Sequence, residues 1–487
     1  MMWLLLLLGL AFPAFAQEAG GDDALEKHVK TFVDIFALVE QEAADPVDTD
    51  KAFYEGAIPG LLRRLDPHSV FLEKQQFDQL KQLQTSMQKG FGSVVSVVPG
   101  RVIVLQALPG TPSAKAGIAP GDEILVINGY DLSRLEIEQL IALLSQSRRQ
   151  QARLTVRRPG NARLLDFVLV PEELQSPSVD RSFLLHPGIG YLRVTSFDEN
   201  TGKLVRDSIE RLGGASLKGL VLDLRGNPGG VLPAALETAA LFLKPGQRLL
   251  SVRGRRVPEQ EKVVPPGTVP YEFPLAVLID QKSASASEIV AGAVQDHDRG
   301  VVLGQPSFGK GLVESVYPLS FDHGLALTTA LYYTPSGRSI QRPLGEEFAL
   351  SETSAKNDRE FKTSGGRTVR GGGGIVPDHV VYPDPPSRLR MVLEASGLIT
   401  SFATDYLIRN KPDERFEVTA AVLDQFQVYL SQRNIRPGLA EWSREREFVQ
   451  TRLKAEVFNQ AFGVEKGDEV EIPRDPVVRK ALELLGQ

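Results

Sequence analysis

The sequence predicts a multi-domain α/β protein: a helical N-terminal segment, a small β-rich domain, an α/β core and a helical C-terminal extension. Three observations carry this expectation. Apolar residues recur at helical spacing near both ends of the chain. Short β-branched runs punctuated by Gly and Pro fill residues 89–171. Strands and helices alternate over residues 187–340. The 487 residues are long enough for several cores, roughly three at 150 residues each.

In chain order, residues 1–16, MMWLLLLLGLAFPAFA, form an apolar run that ends in Ala14-Phe15-Ala16 before the polar Gln17. This fits a signal peptide cleaved after Ala16, with a retained apolar anchor as the alternative. The run is shorter than the ~20 residues of a spanning helix. The expected location is therefore outside the cytoplasm, in a periplasm. Residues 17–88 read as helices: LEKHVKTFVDIFALVEQ, a break at Pro46, then AFYEGAIPGLLRRLDPHSVFL closed by Asp66-Pro67. The β-rich domain over 89–171 holds one helix near 134–146. The α/β core spans 172–384, and within it residues 341–373 are polar and Gly-rich, which reads as a mobile loop. From 385 to 487 the pattern is helical, near 388–409, 418–432, 438–462 and 475–485. Trp442 and Phe448 there read as packing residues.

Composition removes several function classes. The net charge of −6 is spread without long blocks of one sign, so there is no basic footprint for nucleic acid. With no Cys, disulfides, thiol catalysis and thiolate metal sites are excluded. The six His residues, at 28, 68, 186, 297, 323 and 379, include no pair at helical i,i+3 or i,i+4 spacing, so a helix-borne metal pair is not expected.

The β-rich stretch has a recognisable order. Gly90-Phe91-Gly92 precedes SVVSVV, and AGIAPGDEILVING and ARLTVRRPG follow. This order resembles a PDZ domain. The Gly-Phe-Gly turn would offer backbone N–H groups to a carboxylate, and the next strand would offer an edge to a peptide. Packing against neighbouring domains is the alternative role.

Three segments of the core carry candidate chemistry. The apolar strand 274–279 runs into Ser283-Ala284-Ser285-Ala286-Ser287-Glu288 and then a helix rich in small residues. Such a turn exposes a hydroxyl at a helix N-terminus, where partial positive charge favours an oxyanion. The alternative is an ordinary capping box, Ser-x-x-Glu. His297 is the tempting base, but along a helix it would lie about 18 Å from Ser285, beyond hydrogen-bond reach. A Lys kept neutral by burial is the other base available. Ser307-Phe308-Gly309-Lys310-Gly311-Leu312 supplies one, flanked by Gly and apolar residues. Third, LVLDLRGNPGG ends an apolar strand in a Gly-rich turn. It lacks the Gly-Lys-Ser/Thr ending of a phosphate loop.

Together with GLLRRLDPHSVFL, GYLRVTSF at 190–197, LTTALYYTPSGRSIQ and GIVPD at 374–378, these segments resemble the carboxyl-terminal-processing, or tail-specific, protease family over nearly the whole chain to about residue 384. The resemblance implies a serine endopeptidase with Ser285 as nucleophile and Lys310 as general base. It implies an oxyanion hole from the backbone N–H of Ala286 and of Gly229 or Gly230. Asp296 matches a structural acidic position. No metal or cofactor is implied. Expected partners are protein or peptide substrates with free C-termini, read by Gly90, Phe91 and Gly92, an activating adaptor protein, and a second copy of the chain through the helical flanks. One departure stands out: the family commonly carries Gln four residues after the Lys, and here it is Glu314. A carboxylate there favours the ammonium and opposes base function. Glu314 points elsewhere, or holds a proton itself, or the dyad assembles only with substrate. A non-catalytic PDZ scaffold and a C-terminal trimming exopeptidase are the rival functions.

Overall fold

The computed structural model describes residues 22–84, 87–345 and 359–486. The expected signal segment 1–16 lies outside them, as do residues 346–358 of the Gly-rich stretch. The chain forms two compact units, Met1–Arg64 and Leu65–Gln487. In the first, the helix Asp22–Glu42 exposes Leu25, Val29, Phe32 and Val33. After the expected break, a wide helical turn Lys51–Ala57 continues into Ile58–Arg63, and Phe53 meets Phe36 edge-on at 4.9 Å.

The second unit is built around a six-stranded sheet, in the order Val179–His186, Ile189–Val194, Gly219–Asp223, Leu275–Ile279, Val301–Gly304, His379–Val380. The first pair is antiparallel and every later pair is parallel. Parallel strands are buried on both faces, which is why LVLDL and LAVLI are almost continuously apolar. Side chains alternate between the faces. Leu220, Leu222, Val277 and Ile279 join the core that includes Ala235, Ala239, Val290 and Val294 of the helices Leu232–Ala240 and Ala286–Asp296. Val221, Ala276, Leu278 and Leu303 face Val477, Val478, Ala481 and Leu482 of the helix Pro476–Leu484. One face of the central sheet is thus closed by the last helix of the chain.

A second, antiparallel sheet centres on the long strand Gly324–Tyr333. The strand Leu312–Pro318 pairs along one of its edges, while Val70–Leu72 and Arg248–Arg253 pair along the other. The β-rich domain is a sheet in the order Ser93–Val98, Arg101–Ala107, Glu123–Ile127, Ala152–Arg157, Leu165–Leu169. Its helix is Ile137–Ser147, which starts later than expected because Glu136 and Gln139 form a capping box there.

Three expectations need correction. The helix expected over 388–409 is two helices, Arg388–Ser396 and Leu398–Arg409, broken at Gly397 with φ of 61°. A further helix, Val464–Glu471, follows Leu439–Phe462. The Gly-rich stretch is folded where it is described: Glu360–Lys362 and Thr368–Arg370 form a hairpin. There Arg367 pairs with Asp298 and Asp378, so polar anchoring replaces the missing apolar core. Trp442 is buried among helix-packing residues as expected. Among the described residues, no helix is long and apolar enough to cross a membrane.

The role of the final helix is testable. Leu482 is 7% exposed and faces the sheet, whereas Leu484 is 39% exposed. Leu482→Ala should cost about 2–5 kcal/mol in urea unfolding, and Leu484→Ala about 0.5 kcal/mol or less. Equal effects would show that this helix does not close the core.

Candidate active site

The loops that leave the carboxyl ends of three neighbouring parallel strands converge, the usual place for a site in an open α/β sheet. They follow Gly219–Asp223, Leu275–Ile279 and Val301–Gly304, and they are the three segments singled out by sequence. The first two are laced together: Gly226 N donates to Asp280 Oδ1 at 2.9 Å, Ser283 Oγ to Leu224 O at 2.8 Å, and Ala284 N to Asn227 O at 3.0 Å. Asn227 is buried, and its Nδ2 reaches Val194 O at 2.8 Å.

Ser285 occupies the N-cap of the helix Ala286–Asp296 with φ of 53° and ψ of −111°. A non-Gly residue there stores strain of about 1–3 kcal/mol, which the surroundings must hold in place. Glu288 does so. Its buried carboxylate accepts Ser285 N at 2.8 Å and Lys310 N at 2.9 Å on Oε2. Oε1 accepts Gly309 N at 2.7 Å and the Ser307 hydroxyl. Burial pushes the Glu288 carboxyl above its usual range, and the four donors work against that shift. The Ser-x-x-Glu cap is therefore real, and it also carries the lysine loop. Tyr332 adds a second tie: its buried hydroxyl donates to Lys310 O at 2.9 Å and Ser285 O at 3.2 Å.

Gly229 and Gly230, with φ of 100° and 150°, lie against the serine turn. A Cβ on Gly229 would sit 2.8 Å from Ser285 Cβ and 3.0 Å from Ala286 N, so only glycine fits. Gly229 N already donates to Asn227 Oδ1 at 2.8 Å. The segment that follows the Gly-rich stretch clamps the lysine loop, with Ser307 N on Ile375 O at 3.0 Å and Ile375 N on Ser307 Oγ at 2.6 Å.

Lys310 and Glu314 meet: Nζ to Oε1 is 3.1 Å, with the side chains 22% and 27% exposed. Glu314 thus does not point elsewhere. Residues four apart in an extended strand share one face about 13 Å apart, a span that Lys and Glu side chains reaching toward each other bridge. Across the sheet Glu314 stands opposite Thr328, with Thr329 of that strand bulged out of the register. Among the described residues, no hydrogen bond joins Lys310 Nζ to Ser285. The burial expected for Lys310 is partial. His297 caps the C-terminus of the serine helix, its Nε2 donating to Arg248 O at 2.6 Å. Asp296 is buried and pairs with buried Arg338 at 2.7 Å, a structural role. Among the described residues, no group of His, Asp and Glu could hold a metal ion.

The Peptidase family S41 model matches residues 188–345, and the PDZ domain model matches 103–158. The carboxy-terminal-processing protease of Bartonella bacilliformis is 37% identical over 320 residues, which is 65% of this chain and 73% of that protein. The chain belongs to the carboxy-terminal-processing protease family. The same-family protease CtpB of Bacillus subtilis is 31% identical over 336 residues, 68% of this chain and 69% of that protein. That of Synechocystis is 33% identical over 292 residues, 59% and 68%. The protein is a serine peptidase with a PDZ domain and an S41 core, and the β-rich domain is the PDZ domain.

In that domain, a groove of about 250 Å³ runs beside Gly90, Phe91, Gly92, Val95 and Leu144. Gly92 has φ of 73°, and a Cβ there would collide with Thr111 at 2.3 Å. Gly90 ends the strand Met87–Gly90, and Phe91 packs partly into the domain core.

Sequence reasoning saw Glu288 only as a cap and missed Tyr332. Tyr332 carried a signal, because a Tyr on a wholly buried strand end needs a partner for its hydroxyl. Two measurements check these ties. Glu288→Gln puts an amide donor among N–H donors and should lower kcat on a peptide substrate by about 10²-fold with KM little changed. Tyr332→Phe should weaken folding by about 0.5–1.5 kcal/mol. Wild-type kcat in Glu288→Gln would show that the tie is dispensable.

Proposed function

We propose that the protease cleaves peptide bonds as an endopeptidase through a Ser285–Lys310 dyad, on substrates whose free C-terminal tails bind the PDZ groove. The observation that carries this reading is the single Glu288 oxygen that accepts both Ser285 N at 2.8 Å and Lys310 N at 2.9 Å. It fixes the backbones of nucleophile and base relative to each other, so only the lysine side chain has to move. In the resting state Lys310 is an ammonium paired with Glu314. A bound substrate excludes water and disfavours that charge. The neutral amine then takes the Ser285 proton as Oγ bonds to the acyl carbon.

The oxyanion falls to Ala286 N–H, at the N-terminus of the serine helix, and to Gly230 N–H, because Gly229 N–H is already committed to Asn227. Lys310 next protonates the leaving amine, and water, deprotonated by Lys310, hydrolyses the ester. The Gly90-Phe91-Gly92 turn takes the substrate carboxylate, which raises the local concentration of the scissile segment. This reading divides the chain into a PDZ domain over 89–171 and a peptidase core over 172–384, between an N-terminal helical segment 17–88 and a C-terminal helical extension 385–487. It includes export by the segment 1–16 to a periplasm, an activating adaptor, and self-association through flanking helices. The exposed apolar face of Asp22–Glu42 supports the last of these.

Three experiments test it. A serine-directed phosphonate should label wild type and not Ser285→Ala, and Lys310→Met should lose about 10²–10⁴-fold in kcat. Labelling and activity that survive in both variants would overturn the dyad, and a wild type that is neither labelled nor active would leave the scaffold reading. Amidating a substrate C-terminus should raise KM more than it lowers kcat, and the first released products should be internal fragments rather than trimmed residues. Glu314→Gln removes the carboxylate that Lys310 Nζ meets, so the acid limb of kcat/KM should move to lower pH. An unchanged limb would show that Glu314 does not tune Lys310.

A further inference from the structure

One titratable group beside the dyad has no part in the chemistry above. His68 lies in the turn Asp66-Pro67-His68-Ser69, which leads into the strand Val70–Leu72. The turn is firmly set. Buried Asp66 accepts His68 N at 2.7 Å, Ser69 N at 2.8 Å and Ser69 Oγ at 2.6 Å. Thr328 Oγ1 donates to Asp66 at 3.1 Å, and Thr328 N donates to Ser69 Oγ at 3.1 Å. Thr328 is also the cross-strand partner of Glu314. The turn and the Lys310–Glu314 pair are therefore pinned to the same point of one strand, from its two edges.

The His68 imidazole is half-buried, and among the described residues its ring nitrogens meet no hydrogen-bond partner. Three charged groups act on it. Burial and then the Lys310 charge hold it below its ordinary value, while the Glu314 and Asp66 carboxylates pull it up. When Lys310 loses its proton, one of the two opposing effects vanishes and both favourable ones stay.

We propose, building on the Ser285–Lys310 reading, that His68 is a positioning residue that competes with Lys310 for the carboxylate of Glu314 and so releases the lysine as a free amine. The proton balance closes: the ammonium of Lys310 gives one proton to the imidazole of His68, and the net charge of Lys310, Glu314 and His68 is unchanged. Glu314 then faces an imidazolium, and Lys310 swings to Ser285 and takes its proton. The transfer runs against the ordinary difference of about four pH units between lysine and histidine. Desolvation of the ammonium under bound substrate offsets it.

The test is a double-mutant cycle read across pH, with His68→Gln and Glu314→Gln singly and together on one peptide substrate. His68→Gln should lower kcat/KM about tenfold at pH 7, mainly in kcat, and recover towards wild type as the pH rises to about 10, the ordinary lysine range, where solvent takes the lysine proton. In the Glu314→Gln background the same change should cost about twofold or less. The His68 ring is followed directly by NMR titration: its midpoint should rise in Lys310→Met and fall in Glu314→Gln. A pH-independent loss of equal size in both backgrounds would overturn the proposal, as would a midpoint that ignores Lys310→Met. Failure of the dyad itself shows separately, as activity that survives Ser285→Ala. Matching near-UV spectra of His68→Gln and wild type exclude misfolding; if they differ, His68→Asn takes its place in the cycle.

Discussion

The buried carboxylate of Glu288 is the constraint on which the site depends. It is one ionisable group, without solvent, shared by four donors from two loops. Neither loop has a conformation of its own that would survive alone. Ser285 sits at a strained φ and ψ, and the Ser307–Gly311 segment lies outside helix and strand. A buried carboxylate without its donors is costly, and donors without it would be orphaned. The cost of disruption therefore falls on both loops together, which keeps a serine and a lysine from separate strands in constant register.

The architecture beneath this tie makes it reproducible. The three loops leave adjacent parallel strands, so their starting points are set by sheet hydrogen bonds rather than by the loops. Arg225, next to the Gly-rich turn, pairs with Asp223 at its own strand end and with Asp475 at the start of the final helix, at 2.6 and 2.9 Å. The helix that closes the sheet therefore also braces the loop beside the nucleophile. The PDZ domain is braced in its turn: Arg101 Nη1 donates to Ser401 Oγ at 2.9 Å, and Val464 N donates to Gln106 Oε1 at 3.1 Å.

Much of this was legible in the sequence wherever the signal was local. LVLDLRGNPGG, SASASE and SFGKG each announce a strand end followed by a turn, and each turn reaches the site. The split at Gly397 and the hairpin at 360–370 were hidden, because polar anchoring by Arg367 and packing against Val98 leave no periodic trace. His68 was hidden for a different reason. Its neighbours Lys310 and Glu314 are brought to it by pairing along the strand Gly324–Tyr333, and no spacing rule reports a contact across a sheet. Only His297 was weighed as a base because only it lies near Ser285 in sequence.

The bulge opposite Val313 and Glu314 carries one more meaning, for its extra residue is Thr329 of the strand Gly324–Tyr333. Side chains on a strand alternate like the two faces of a ribbon, and an extra residue resets which face the remainder shows. Which threonine stands opposite Glu314 is therefore written in the phase of that strand. Without the extra residue Thr329 would stand there, and Thr328, which holds Asp66 and Ser69, would turn to the other side, so that the turn and the carboxylate would no longer share an anchor.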